Sequence, residues 1–251
     1  MKLDLKGKNA IITGASKGIG KSIALNLAEE GANIAFCARG EEALRATEKQ
    51  LIKKGVNVFA QSCDIGNTEK FDAFLEAVKD KFGRIDILVN NVSALSLGDE
   101  YSDWENSINI DLLGSVRATR KVIPWMMESG SGNILFISSV SGLEAGSPPA
   151  YAAAKAALIS YSKTLAVQLA PKQIRVNTIA PGSVEFSGGL WELTKEQNRP
   201  FYDKMLSTIP SGRMGTPDEI GKVAAFIVSP CASWVTGTCL AVDGGQHKSN
   251  L

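Results

Sequence analysis

Histidine is almost missing from this chain of 251 residues: the only one, His247, is the fifth residue from the end. That scarcity excludes a multi-histidine zinc site and leaves no imidazole general base in the body of the chain, so any chemistry must run on other groups. Cysteine is also sparse. Cys37, Cys63, Cys231 and Cys239 form no C-x-x-C pair, three of them adjoin apolar runs, and all four are expected to be small buried apolar residues. Net charge is lacking too. Lys+Arg 27 against Asp+Glu 26 gives +1, so no strong field exists to gather phosphate backbones or an anionic bilayer, and neither nucleic acid nor membrane is an expected partner.

No apolar run approaches the ~18 residues of a membrane span, and Lys2, Asp4, Lys6 and Lys8 occupy the place of a signal peptide's apolar core. A cytoplasmic protein with reduced thiols is expected. What is present is ordinary globular material, 44% hydrophobic and 21% charged, with no repeat, low-complexity tract or linker. Residues 1–251 therefore read as one domain large enough for a substantial core.

Short apolar runs alternate with helix-period segments from end to end, the pattern of βαβ units. Strands are predicted at 10–13, 34–37, 56–59, 85–89, 134–137, 174–179 and 239–242, with helices at about 19–30, 41–54, 68–82, 102–128, 150–170 and 217–229. The predicted fold is α/β: a Rossmann-type doubly wound sheet of seven parallel strands with helices on both faces. The segment at about 182–213 is long for a connection and rich in Phe186, Leu190, Trp191, Phe201, Tyr202 and Met205. It reads either as a core-packing helix or as a substrate lid, and a lid with its own short helix satisfies both.

Between the first strand and first helix stands Thr13-Gly14-Ala15-Ser16-Lys17-Gly18-Ile19-Gly20. Three glycines let backbone approach a ligand while the helix N-terminus offers free N–H groups, which suits the pyrophosphate of a dinucleotide at the first βα turn. The second strand ends in Cys37-Ala38-Arg39, without the carboxylate that usually meets an adenosine ribose. Lys17 and Arg39 are positioned to flank a 2′-phosphate, so NADP(H) is favoured over NAD(H); as plain surface charges they would carry no preference. The same turn also spells G-x-S-x-G, and a serine hydrolase using Ser16 and His247 is the remote alternative.

Tyr151-Ala152-Ala153-Ala154-Lys155 places a tyrosine and a lysine on one helix face, just after a strand ending in Ser138-Ser139. Joined to the glycine turn, to Asn90 after the fourth strand and to Asn177-Thr178-Ile179-Ala180-Pro181-Gly182 after the sixth, this pattern resembles the short-chain dehydrogenase/reductase family, including its 3-oxoacyl-carrier-protein reductase-like members. The resemblance runs along essentially the whole chain. It implies a nicotinamide cofactor and alcohol/carbonyl interconversion, with Tyr151 as acid/base, Ser139 binding the carbonyl oxygen and Lys155 holding the nicotinamide ribose and supporting Tyr151. Ser138 is the neighbour most easily confused with Ser139. Ionising a tyrosine at neutral pH requires about 4 kcal/mol, and one cation ~4 Å away at an effective dielectric of ~20 supplies about that much.

By the same resemblance Gly14, Ser16, Lys17, Gly18, Ile19 and Gly20 surround the pyrophosphate, Asp64 and Ile65 meet the adenine, Asn90 lies near the adenosine ribose, and Pro181-Gly182 lies beside the carboxamide. A homotetramer and a small carbonyl or alcohol substrate are also implied, and a 3-oxoacyl thioester is possible, with Arg117, Arg120 or Lys121 available to an acidic carrier. No metal is expected. Three positions depart from the family. Its relay asparagine in N-x-x-G falls on Asp111, since Asn109 is two residues early and therefore turned by about 200°. Ser93 replaces a glycine beside the cofactor cleft. Phe186 stands where a threonine usually bonds the carboxamide, with Ser183 or Ser187 as possible substitutes. A chain in which these changes silenced catalysis would be a cofactor-binding sensor or scaffold.

Overall fold

Strands β1 (Asn9–Thr13), β2 (Asn33–Ala38), β3 (Val58–Ser62), β4 (Ile87–Asn90), β5 (Gly132–Ile137), β6 (Ile174–Pro181) and β7 (Cys239–Val242) form one sheet in the computed structural model, whose residues 2–250 are described. All neighbours are parallel, in the order β3-β2-β1-β4-β5-β6-β7. Parallel strands buried on both faces need near-continuous apolar runs, and β1 shows why. Ala10 and Ile12 pack with α1 (Gly18–Glu29), α2 (Glu41–Ile52) and α9 (Pro217–Val228), whereas Ile11 packs with α3 (Thr68–Phe82), α5 (Gly114–Glu128) and α6 (Pro149–Leu169).

The chain leaves β1 toward β2 in one direction and, after β3, crosses to β4 on β1's other side. Reversal at this point opens a crevice outside the carboxyl ends of β1 and β4, where doubly wound sheets bind ligands. The edge strand β3 lies two residues later than the periodicity suggests. Asn57 is held before pairing begins by Asn33 Oδ1, which accepts its N–H at 3.0 Å, and an only partly buried edge tolerates Gln61 and Ser62.

The predicted helix at 102–128 is three pieces: α4 (Tyr101–Asn106), a π-helical turn (Ser107–Leu113) and α5. Segment 182–213 holds two helices, α7 (Leu190–Gln197) and α8 (Arg199–Ser207). Tyr202, Ile209 and Met214 give it a small apolar cluster separate from the two sheet-face cores, joined by Trp191, Met205 and Leu206. Its base is fastened by Glu185, which accepts from Tyr202 Oη and from Lys195 Nζ at 2.9 Å. These donors hold the Glu185 carboxyl below its ordinary range. Among the described residues no helix is long and apolar enough to cross a membrane.

The cysteine expectation needs one correction. Cys37 and Cys63 are buried and Cys239 partly so, but Cys231 is exposed, because it lies in the turn that follows α9 rather than in a strand. Burial pushes the thiols of Cys63 and Cys239 up to about 11 and that of Cys37 higher still. A thiol-reactive disulfide reagent applied to the native protein is therefore expected to find one fast site, abolished in Cys231→Ser, with Cys37 and Cys63 reacting only after unfolding.

Candidate active site

The glycine turn is shaped by what presses on it. Gly14 (φ 71°) and Gly18 (φ 57°) adopt left-handed backbone. At Gly20 a Cβ would stand 2.3 Å from Asn91 Nδ2 and 2.4 Å from Gly14 O. The first turn of α1 has no side-chain cap and no acidic residue, so its N–H groups are free for an anion, and this cradle fits a pyrophosphate. Ser16 and Ile19 lie within it, and Ser16 O accepts from Thr47 Oγ1 at 3.0 Å.

Asn91 holds the turn in place, a role the sequence reading did not assign. Its Nδ2 donates to Thr13 O and Gly14 O, both at 3.0 Å, and its backbone N–H donates to Thr13 Oγ1 at 3.0 Å. Asn90 is buried and its Nδ2 donates to Thr119 Oγ1 of α5 at 3.0 Å, which ties β4 to α5, while its Oδ1 has no hydrogen-bond partner. The two neighbouring asparagines thus have different partners, Asn90 in α5 and Asn91 in the glycine turn.

At the adenosine end Arg39 is exposed, and its carbonyl accepts from Ser62 Oγ at 3.1 Å. Lys17 Nζ donates to Gly188 O at 3.4 Å, which links the turn to the 182–213 segment. Asp64 is exposed, with Oδ1 accepting Gly66 N–H at 3.0 Å, and Ile65 is buried beside it.

The catalytic candidates meet where β5 passes into α6. Ser138 Oγ donates to Lys155 O at 2.8 Å, so its proton is committed to the scaffold. Ser139 Oγ instead accepts Ser141 N–H at 3.1 Å, which leaves its own proton free to donate; geometry thus separates the two serines. Gly142 permits this turn to lie on α6, since a Cβ there would stand 2.8 Å from the backbone of Lys155 and Ala156. Tyr151 and Lys155 are one turn apart on α6, with Lys155 Nζ 5.5 Å from the Tyr151 ring centre.

Lys155 is 2% exposed and Asp111 fully buried, with 3.1 Å between Nζ and Oδ1. Charge rather than direction holds this contact, for Oδ1 has no aligned hydrogen-bond donor. Asp111 Oδ2 accepts Ala94 N–H at 2.8 Å, and Lys155 Nζ also donates to Ile137 O at 3.2 Å. Asn109 faces elsewhere, its Oδ1 accepting from Arg117 Nη2 at 2.7 Å. Arg117 and Lys121 are both engaged, the latter with Glu76 at 2.5 Å; Arg120 is exposed.

The other departures are also accommodated. Ser93 Oγ accepts Leu95 N–H at 3.0 Å within its own loop. The Phe186 ring packs between two glycines: a Cβ on Gly18 would stand 2.5 Å from Cζ, and one on Gly189 2.9 Å from the ring. Ser183 is held by Gln246. Its N–H donates to Gln246 Oε1 at 2.8 Å and its Oγ accepts from Gln246 Nε2 at 3.0 Å. Gly182, next to Pro181, is a glycine because Asp243 Cβ would lie 2.7 Å from its Cβ.

The hydrolase alternative fails on placement. Ser16 follows β1 and His247 follows β7, four strand spacings away in the sheet order, about 19 Å. The imidazole is bound to Asp243, with Nδ1 2.5 Å from Oδ2. No group of three or more His, Cys, Asp or Glu side chains arranged for a metal ion occurs among the described residues.

A glycine-cradled helix N-terminus at the switch point of a parallel sheet, beside a Ser-Tyr-Lys set, defines a dinucleotide-dependent oxidoreductase. The chain belongs to the short-chain dehydrogenase/reductase family, and the family model described as "Enoyl-(Acyl carrier protein) reductase" matches residues 14–247. It is 36% identical over 250 residues to the 3-oxoacyl-[acyl-carrier-protein] reductase FabG of Vibrio cholerae, covering 98% of this chain and 99% of that one. A 7α-hydroxysteroid dehydrogenase solved with NADH and 7-oxo glycochenodeoxycholic acid superposes with a TM-score of 0.91 at 33% identity, over 99% and 97% of the two chains. L-Sorbose reductase from Gluconobacter frateurii, solved with NADPH and L-sorbose, gives 0.89 at 33% identity, over 99% and 100%. The reaction of this class is NAD(P)(H)-dependent interconversion of an alcohol and a ketone.

The two serines are separable by stability. Ser138→Ala removes the side-chain bond to the Lys155 carbonyl, which keeps its helical partner, and is expected to cost about 0.5–1.5 kcal/mol in urea unfolding of the cofactor-free protein. Ser139→Ala should cost less than Ser138→Ala in the same measurement.

Proposed function

We propose that the chain is an NADP(H)-dependent ketone reductase in which Ser139 and Tyr151 hold the carbonyl oxygen and Tyr151 gives it a proton. The observation that carries this reading is the division of labour between Ser138, committed to Lys155 O, and Ser139, whose proton is free to donate. Bound in the glycine cradle, a nicotinamide supplies the hydride. Lys155 reaches from α6 toward the ribose position while Asp111 fixes its ammonium, and Asn91 keeps the cradle open.

The preference for NADP(H) rests on Lys17 and Arg39, since relatives solved with NADH and with NADPH leave it to local residues. The substrate proposed is a small or medium apolar carbonyl compound, in a cleft bounded by Ala94, Leu95, Leu143 and the 182–213 segment, which serves as its lid. A 3-oxoacyl thioester is the second candidate, favoured by the likeness to the FabG reductase; of the three basic residues considered for an acidic carrier, Arg120 is the one left uncommitted. Exposed Leu113 beside α5 and Val167 on α6 support assembly through these helices as a homotetramer.

Fluorescence titration with NADPH and NADH, followed by a panel of ketones, aldehydes and acetoacetyl thioesters, tests the reading. NADPH should bind more tightly and lose signal with substrate; Arg39→Ala should weaken NADPH about tenfold or more without affecting NADH. Tyr151→Phe should reduce turnover by about 10²–10⁴-fold. Tighter NADH would refute the roles of Lys17 and Arg39, and binding without turnover across the panel would make the chain a sensor.

A further inference from the structure

The ion pair between Lys155 and Asp111 alters what the lysine can do. A lone buried ammonium near a tyrosine favours the tyrosinate; an ammonium with a carboxylate 3.1 Å away presents a dipole, whose field falls off faster. Neither group can be screened by water, since Asp111 is fully buried and Lys155 nearly so. Few other charges face Tyr151 from the elements packed against α6. β5 and the 140–142 turn carry none, and the π-helical turn carries only Asp111. Arg175 of β6 lies at the opposite end of that strand, donating to Val235 O and Ser229 O.

On α4, Asp103 caps its own helix through Glu100 N–H, and Glu105 is exposed. Glu144, in the loop before α6, accepts Lys248 N–H, while Asp243 and His247 pair with each other. α6 itself adds Tyr161 and Lys163, the latter donating to Gly237 O, and Lys172 follows it in the 170–172 turn.

Resting on the assignment of Tyr151 as the proton-exchanging residue, we propose that Asp111 is a positioning and charge-cancelling residue that opposes the pull of the Lys155 ammonium on the Tyr151 hydroxyl. The site is thereby a ready proton donor to a carbonyl and a poor proton acceptor from an alcohol. In reduction the carbonyl carbon gains the hydride supplied by the dihydronicotinamide, its C=O π pair takes the Tyr151 proton, and the tyrosinate recovers a proton from water. Asp111 does not move the reaction's equilibrium. It moves the pH at which oxidation becomes fast, because oxidation needs tyrosinate and falls tenfold with each pH unit below its formation.

Ultraviolet difference titration of the cofactor-free protein, each chain minus its Tyr151→Phe counterpart, reads tyrosinate formation at this residue directly. Asp111→Asn is expected to bring that titration down by about one pH unit or more, and to shift the acid limb of alcohol oxidation by the same amount. Equal titration in both backgrounds overturns the proposal. Should Asp111→Asn fail to fold, the double variant Asp111→Asn/Lys155→Met, which removes both charges, decides: agreement with wild type within a few tenths of a unit supports cancellation. A wild type titrating a full unit or more below the double variant shows Lys155 acting unopposed and overturns it. Failure of every carbonyl compound to turn over would sink the oxidoreductase reading, while the titration would still decide the charge cancellation.

Discussion

A buried ammonium is the demand around which the carboxyl end of this sheet is arranged. Lys155 extends from α6 into a region almost closed to solvent, where an uncompensated charge would cost several kcal/mol. Three elements answer it. The π-helical turn offers the Asp111 carboxylate, β5 offers the Ile137 carbonyl, and Ser138 ties the lysine's own carbonyl so that α6 cannot shift. The same carboxylate anchors Ala94 N–H, so the loop that closes the crevice after β4 is positioned by the group that balances the cation.

A second arrangement of the same kind serves the phosphate turn. Asn91 crosses from the end of β4 to the carbonyls of Thr13 and Gly14, and Gly20 is bare so that this amide can enter. From the other side Phe186 fills the space over Gly18, and Lys17 grips Gly188 O. The 182–213 segment is therefore attached to the turn it partly covers, through a ring and a hydrogen bond.

Much of this was legible in the residues. Apolar runs such as Ala10-Ile11-Ile12 are buried on both faces and could only be central parallel strands, and the glycine spacing marked the turn between the first strand and helix. Tyr151 and Lys155 were legible because four residues is nearly one helical turn. Hidden features depended on contacts between distant segments. Asn90 and Asn91 are identical in chemistry, and only the fold decides that one bonds Thr119 of α5 and the other the carbonyls of the glycine turn. Ser138 and Ser139 are likewise resolved by where α6 places a carbonyl. Cys231 follows Ser229-Pro230 at the end of a helix, and falls in a turn.

The π-helical turn at Ser107–Leu113 has a further consequence for how this region tolerates change. A π-type turn holds one residue more than the α-helical spacing allows, and one residue corresponds to about 100° of rotation. Deleting a single residue there would let α4 and α5 merge into one regular helix, and would wheel the carboxylate out of the interior or the apolar stripe of α5 off the sheet. The stretch is thus a frame-setting spacer. Substitutions within it alter one contact at a time, whereas a change in its length alters the alignment of everything on either side.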